Sequence, residues 1–253
     1  MPYITTRGIV LRCTEFSETS QVLALITPDL GQVHTLAKGA RKPGKQQRKT
    51  PLEILTCYDI VIAERRKGQL HLLAEWAMRE PFPLLRTDLA MMWTGYYACE
   101  VLLALTSETS DDGEAFDCLL RLLRNLKPGS KGRPVLFRFL ACALRVAGSA
   151  PAVGCCAHCC GALHGNTRFS PAAGGALCAD CGIEDPHAFS ISRGALAAWR
   201  ALLERTRASP GLRVTNAQMA EIQRAFNEQI QYHLGRLLRT PRFFDVFHGA
   251  GDV

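Results

Sequence analysis

The sequence predicts an α+β protein of several domains, in which a small five-stranded β-barrel precedes an α-helical bundle that carries an inserted cysteine-rich segment. Three observations lead to this prediction: strand-like patterning up to about residue 80, helical patterning after it, and a cluster of cysteines inside the helical part. The chain has 253 residues, more than a usual domain of about 100 to 150 residues, so it accommodates more than one module.

Up to residue 80, β-branched and aromatic runs alternate with turn residues, a pattern that is typical of short strands. We predict five strands, at Tyr3–Cys13, Gln21–Ile26, Gln32–Lys38, Ile54–Ala63 and Gln69–Trp76. The breaks between them hold glycine and proline, which favours a small antiparallel barrel over a helical unit. Residues 1–80 are therefore predicted to form an OB-fold domain that binds nucleic acid.

After residue 80, apolar residues recur at helical spacing. We predict helices at Leu84–Leu105, Phe116–Leu126, Val135–Val146, Ser192–Arg207 and Asn216–Leu238. Thr215 and Gln218 have the spacing of a capping box at the start of the last helix.

The predicted helices lie on both sides of the cysteine-rich insertion, so we expect one helical domain in two parts. Its first part takes residues 81–149, the insertion takes 150–190, the second part takes 191–248, and 249–253 form a frayed tail. Residues 148–187 are rich in glycine, alanine, proline and cysteine, and have too few large apolar residues to fold unaided.

Six of the eleven cysteines lie between positions 155 and 181. Cys156-Ala-His-Cys159 and Cys178-Ala-Asp-Cys181 are two pairs separated by 18 residues, the spacing of a four-cysteine zinc site. Four sulfurs at about 2.3 Å complete a tetrahedral shell and leave no position for water. The insertion is thus predicted to be a zinc finger with one structural Zn²⁺ per chain.

The first pair of ligands has alternatives. Cys155 and Cys160 flank Cys156 and Cys159, and either could replace one of them as a ligand. His158 and His164 are further candidates, because histidine is also an accepted zinc ligand.

Basic residues are concentrated in two loops of the predicted barrel. Residues 30–52 contain six basic side chains and no acid, and a second group lies between the fourth and fifth strands. Cations at the rim of such a barrel can follow the phosphates of a nucleic acid, so we expect sequence-tolerant and salt-dependent binding. The predicted nucleic-acid-binding residues are Lys38, Arg41, Lys42, Lys45, Arg48, Lys49, Arg65, Arg66 and Lys67.

Aromatic residues are sparse in this half of the chain. We interpret Tyr3, Phe16, Tyr58 and Trp76 as core residues rather than as platforms on which bases stack.

The sequence contains no set of residues that predicts catalysis. Gly39 to Lys45 matches the first part of a phosphate-binding P-loop, but Gln46 stands where the motif needs a serine or threonine for magnesium. A zinc deaminase would need an H-x-E motif, which does not occur in the chain. We therefore predict that the protein is not an enzyme.

The sequence also bears on location. It begins without the pattern of a secretory signal, and the apolar run Leu89–Leu105 is shorter than the about 20 residues needed to span a bilayer. We expect a cytoplasmic protein with no membrane partner.

Several short motifs occur together, in order, along nearly the whole chain: Gly8-Ile-Val-Leu11, Glu18-Thr-Ser-Gln-Val-Leu23, Lys38-Gly-Ala-Arg-Lys42 and Gly174-Gly175 ahead of Cys178. In this respect the sequence resembles the RecO family of bacterial DNA repair and recombination mediator proteins. The resemblance implies binding of single- and double-stranded DNA, annealing of complementary strands and no catalysis.

The resemblance also implies partners. They are RecR, the acidic C-terminal tail of single-strand-binding protein and, indirectly, RecA, all at the bacterial nucleoid. From the residues alone, a zinc-ribbon module that contacts other proteins and does not bind DNA is the alternative. Oligomeric state, the contacts to each protein partner and the preference for single or double strands stay open.

Overall fold

The structure is a computed structural model that describes residues 2–40, 51–65, 69–107, 113–127, 132–203 and 214–240. The chain divides into two compact units, of which the second comprises residues 133–241 and the first comprises the rest of the chain. Within the described residues, no helix is both long enough and apolar enough to cross a membrane. The domain boundaries that we placed at residues 80, 149 and 190 stay a prediction.

The first unit contains a closed five-stranded barrel, so the predicted fold class is confirmed. Its strands are β1 (Tyr3–Glu15), β2 (Gln21–Thr27), β3 (Gly31–Ala37), β4 (Cys57–Ala63) and β5 (His71–Glu80). They follow the order β1-β2-β3-β5-β4 around the barrel, and β4 closes the ring against β1. All five predicted strands are present, and the ends of most of them are shifted by a few residues.

One seam of the barrel differs from the antiparallel prediction. β3 and β5 run parallel, with Thr35 opposite His71 and Leu36 opposite Leu72. Every other neighbouring pair is antiparallel. A ring of five strands cannot alternate in direction all the way round, because five is odd. At least one neighbouring pair must therefore be parallel, and in this barrel it is the short pair of β3 and β5.

The barrel interior is filled by side chains from alternate strand positions, as the two-residue period of a strand requires. Val10, Leu23, Tyr58, Ile60 and Leu73 are among these buried residues. Gly8 faces the same interior, and a Cβ atom there would lie 2.7 Å from Ile60 Cδ1. This glycine thus leaves the space that the isoleucine fills.

Two helices of the first unit, α1 (Leu89–Leu105) and α2 (Gly113–Asn125), pack against the outside of the barrel. The Arg7 guanidinium lies 5.1 Å from the centre of the Phe116 ring, and Thr106 Oγ1 donates a hydrogen bond of 2.8 Å to Gln32 Oε1. Ile9 and Ile26 face outward and are nevertheless fully buried. Near these residues, the paired strands β1 and β2 are therefore buried on both faces.

The second unit combines three helices with a small finger. The helices are α3 (Gly132–Val146), α5 (Arg193–Leu203) and α6 (Asn216–Leu234). The finger consists of a three-stranded sheet and a short helix, which are β6 (Arg168–Ser170), β7 (Gly175–Leu177), β8 (Phe189–Ser190) and α4 (Ala179–Glu184).

Helix α6 begins as the sequence predicts and ends earlier. Thr215 and Gln218 form the capping box, in which each side chain accepts a hydrogen bond from the backbone N–H of the other residue. The prediction that the helix continues to Leu238 is wrong, because Gly235 adopts the left-handed conformation with φ 64° and terminates it after Leu234. Glycine is the usual residue in that position.

A row of aromatic rings connects the finger to the helices of the second unit. Trp199 in α5 lies 4.3 Å from Phe226 in α6 and 5.7 Å from Phe169 in β6, measured between ring centres. Phe226 also contacts Phe137 in α3, and Phe169 contacts Phe189 in β8. The finger therefore obtains much of its apolar core from the helices.

Candidate metal centre and nucleic-acid interface

The structure brings the four predicted cysteines together. Cys156 and Cys159 come from the loop before β6, Cys178 immediately precedes α4, and Cys181 lies in its first turn. Their sulfur atoms all lie within 4.8 Å of one another, and the Cys159 and Cys178 sulfurs are 3.9 Å apart. Sulfurs bound at about 2.3 Å around a tetrahedral ion are about 3.8 Å apart. The cluster thus has the size of a four-thiolate metal site.

The backbone around each pair holds the sulfurs in place. Cys160 N donates to Cys156 O at 2.9 Å, and Cys156 N donates to Gly161 O at 2.8 Å, so the first pair forms a tight turn. Cys160 takes the left-handed position of this turn, with φ 58°. In the second pair, Gly182 N donates to Cys178 O at 2.9 Å.

The alternative ligands lie outside the cluster. Among the described residues, Cys155, Cys160 and His164 do not belong to the group whose donor atoms meet. His158 is adjacent to it, because its Nδ1 atom lies 3.6 Å from the Cys181 sulfur. The set that meets is the one with two-residue spacing in both pairs, although the ligand assignment itself stays a prediction.

The pKa values of the cluster thiols differ, and they show that the four thiols do not all ionise readily without a cation. Burial raises the pKa of Cys156, but hydrogen bonds from backbone N–H groups outweigh it and lower that pKa to about 6. The neighbouring Cys178 thiol, followed by burial, raises the pKa of Cys181 to about 12. One thiolate forms readily, and further negative charge beside it is opposed. A bound divalent cation removes this opposition.

Residues around the cluster fix the second pair relative to the sheet. Arg168 Nη1 donates to Gly182 O at 3.0 Å, and its other terminal nitrogen donates to Ala188 O. Asp185 accepts hydrogen bonds from Ser170 and from the backbone of His187, which hold the pKa of its carboxyl below the ordinary value. The donor set therefore fits a thiophilic, four-coordinate ion and leaves no open position for a reacting water.

The structure describes two of the nine predicted nucleic-acid-binding residues. Lys38 is exposed directly after β3. Arg65 is half-buried after β4, and its backbone N–H donates to His71 Nδ1 at 3.0 Å. Arg41, Lys42, Lys45, Arg48, Lys49, Arg66 and Lys67 lie outside the described residues.

Among the residues that the structure describes, part of the outer barrel surface stays exposed or half-exposed, and we call it the open sheet face. Strand pairing aligns Thr14, Val22, Leu36 and Leu72 in one outward row, and Arg12, Ala24 and His34 in the next. Lys38 continues the outward alternation of β3. The open sheet face is defined by Arg12, Thr14, Val22, His34, Leu36, Lys38 and Leu72, all exposed or half-exposed.

The sequence did not identify the outward position of Arg12 in this face or the exposure of Phe16 beside it. Arg12 is a single cation in a strand and gives no clustering signal, although its alternation with the core residues could have indicated an outward position. Phe16, which we interpreted as core, is 66% exposed in the turn after β1. Tyr3 is exposed as well, whereas Tyr58 and Trp76 are core residues as predicted.

Barrel, helices and cysteine cluster together define a class of protein: an OB-fold protein whose helical region carries a four-cysteine finger. Residues 1–82 match the family model described as "Recombination protein O N terminal", and residues 86–242 match "Recombination protein O C terminal". The chain therefore belongs to the RecO family of DNA repair proteins.

Curated relatives agree with the family models over nearly the whole length. "DNA repair protein RecO" of Anaeromyxobacter dehalogenans (strain 2CP-C) is 31% identical over 97% of both chains. The protein of the same name from Pelotomaculum thermopropionicum is 32% identical, again over 97% of both chains. That of Symbiobacterium thermophilum is 30% identical over 96% of this chain and 97% of its own.

Proposed function

We propose that this protein is a non-catalytic recombination mediator that binds single- and double-stranded DNA and anneals complementary strands. It acts with RecR on DNA coated by single-strand-binding protein, contacts the acidic tail of that protein, and helps to load RecA. Its place of action is the bacterial cytoplasm, at the nucleoid. Family membership supports this proposal, and the open sheet face is the observation on which its DNA-binding part rests.

The open sheet face suits a nucleic acid because it joins cations to a partly apolar surface. Arg12 and Lys38 can pair with phosphates, while Val22 and Leu36 offer apolar contact between them. OB-folds bind oligonucleotides across the second and third strands and the adjoining loops, which is where this face lies. Of the two basic loops predicted from the sequence, the first follows β3, whereas the second connects β4 to β5.

Acidic side chains limit how strongly this face attracts phosphates. Glu15 and Glu18 are exposed beside Phe16, at the end of β1 and in the turn that follows it. Binding that depends on few cations has a shallow salt dependence, since the slope of log K against log salt is proportional to the number of phosphate contacts.

Under this proposal, annealing does not require nucleotide hydrolysis. Two complementary strands repel each other through their phosphates, and cations that neutralise part of that charge lower the cost of bringing them together. The arrangement therefore supports strand pairing without a nucleotide site.

The test of DNA binding is a double variant, Arg12→Ala with Lys38→Ala, measured by fluorescence anisotropy with a labelled single strand. Two lost phosphate contacts should reduce the slope of log K against log salt by about 1.4, because single strands contribute about 0.7 per contact. Affinity at low salt should fall about tenfold.

The matched control is Arg79→Ala. Arg79 is an exposed barrel arginine near the end of β5, seven residues from Leu72, and it forms an ion pair of 2.9 Å with Asp59 in β4. The Arg79→Ala variant should leave both the affinity for the single strand and the salt slope unchanged. A wild-type protein that fails to bind DNA at low salt would refute the proposed function and favour the protein-interaction module. A normal slope in the double variant would refute the role of this face.

The basic loops are tested separately, by replacing Arg41, Lys42, Lys45 and Arg48 with alanine. We expect weaker single-strand binding and a flatter salt dependence. An annealing assay on DNA coated with single-strand-binding protein then separates a mediator from a simple DNA-binding protein, which should fail it.

For the finger, we propose one zinc ion per chain, held by Cys156, Cys159, Cys178 and Cys181 in a structural role. The thiolate set and the distances between the sulfurs support zinc. Elemental analysis should give one zinc per chain, and chelation should unfold the finger, because metal binding and folding are coupled in such sites. Purified protein that folds without any metal would contradict this assignment.

A further inference from the structure

The positive charge of the chain is distributed unevenly between the two units. Residues 133–241 contain twelve arginines, no lysine and six acidic residues, which gives +6 of the total +7. The rest of the chain has nearly balanced charge, even though it includes the basic loops. The second unit is therefore the more cationic one, and the barrel loops do not account for this.

Part of this charge lies beside exposed apolar side chains where α6 ends. Tyr232 is 61% exposed and Leu237 is 71% exposed, both large fractions for such residues. His233, Arg236 and Arg239 are exposed in the same stretch. We call these five residues the α6 terminal surface.

The exposed side chains lie at the end of α6. Ile222, Phe226 and Ile230 form the buried side of the helix, and Tyr232 lies off that side. Gly235 then ends the helix in a left-handed turn, and the following residues leave the helical path. Tyr232 and Arg236 thus lie on either side of this turn, the first in the last helical turn and the second just beyond it.

A ligand of the α6 terminal surface must suit both its arginines and its exposed tyrosine. The carbonyl end of a helix carries about half a negative charge, so an isolated phosphate is not attracted by the helix itself. The surface becomes favourable for a ligand that both places phosphates near the arginines and stacks a flat ring on the tyrosine. Unpaired nucleotides supply both, and stacking on aromatic side chains tolerates any base.

We propose that the α6 terminal surface is a second binding site for single-stranded nucleic acid, distinct from the site on the barrel. The proposal rests on the DNA-binding function proposed above and extends it. One chain then has two strand-binding sites, one in each unit. A protein that pairs two strands needs to hold both, so the second site should affect annealing more than it affects binding of one strand.

The test uses the full chain with Tyr232→Ala and Arg236→Ala combined. A stoichiometric titration with a short fluorescent oligothymidylate should fall from about two oligonucleotides per chain to about one. The rate of annealing should fall about tenfold, since loss of one stacked base alone is worth roughly that factor. Both positions are exposed, so the variant should fold normally, and circular dichroism checks this.

Two controls sharpen the result. Arg200→Ala removes an exposed arginine from α5, outside the surface, and should change neither quantity. Tyr232→Phe keeps the ring and should retain the wild-type stoichiometry. An oligonucleotide that carries 5-iododeoxyuridine should also cross-link to Tyr232 in the wild-type protein.

The outcomes separate this inference from the proposed function. If the wild-type protein binds only one oligonucleotide and the variant anneals normally, the second site is refuted and the barrel function stands. If the wild-type protein binds none, the proposed function itself fails. If the variant keeps both oligonucleotides but no longer binds an aspartate-rich peptide, the surface docks a protein and the inference is overturned.

Discussion

Replacing Cys160 by glycine should stabilise the finger, although the change removes a thiol next to a metal site. Cys160 has φ 58° in the turn between Cys156 and Gly161, a conformation that side chains with a Cβ atom adopt at a cost. Its sulfur lies outside the four-cysteine cluster. The thiol therefore contributes nothing to the predicted coordination, whereas its Cβ strains the turn.

The magnitude follows from the backbone. A left-handed conformation costs a non-glycine residue about 1 to 2 kcal/mol. Glycine loses about 0.5 to 1 kcal/mol more conformational freedom on folding, which offsets part of the gain. The Cys160→Gly variant should thus gain roughly 0.5 to 1 kcal/mol, or about 2 °C in melting temperature.

The assay is thermal unfolding of the metal-loaded protein, followed by circular dichroism, together with its zinc content. Cys160→Ala is the matched control, because it removes the thiol and keeps the strain, and it should unfold like the wild type. Loss of zinc or a lower melting temperature in both variants would show that Cys160 is a ligand. That result would refute a purely conformational role for Cys160.

Three further predictions concern other parts of the structure. Trp199→Ala should cost about 3 to 5 kcal/mol in the free energy of unfolding, because its ring is buried between Phe169 and Phe226, and urea titration measures the loss. Gly175→Ala should disrupt the finger, since a Cβ there would lie 2.2 Å from Ala152 O, and reduced zinc retention on dialysis against chelator would show it. Hydrogen bonds from Arg124 lower the pKa of Glu80 below its ordinary value, so this pair stabilises the fold at pH values above that ordinary value, and the contribution is lost as the pH falls through the lower pKa of the folded state. Arg124→Ala should flatten this acid dependence, as unfolding midpoints measured at several pH values would reveal.

Local patterns in the sequence predicted the elements of the fold well. Alternation placed all five strands, and the spacing of Cys156, Cys159, Cys178 and Cys181 identified the cluster, because both signals lie in nearby residues. The end of α6 was predicted too late because its apolar spacing continues past Gly235, whereas this glycine terminates the helix.

Long-range features could not be predicted in the same way. The parallel pairing of β3 with β5 depends on how a ring of five strands closes, which no single segment encodes. Phe16 is apolar and lies at a strand end, so its sequence context is that of a core residue, and only the packed barrel shows that it is exposed. The concentration of positive charge in the second unit can be recognised only when the boundary between the two units is known.

The ring contacts that run from Phe137 through Trp199 to Phe189 have a practical consequence. A peptide cut out at residues 150 and 190 would keep its four thiols and lose the tryptophan against which Phe169 rests. Such an excised fragment should chelate an ion yet stay loosely packed. The finger should therefore be transferred to another protein only together with the helices against which it packs.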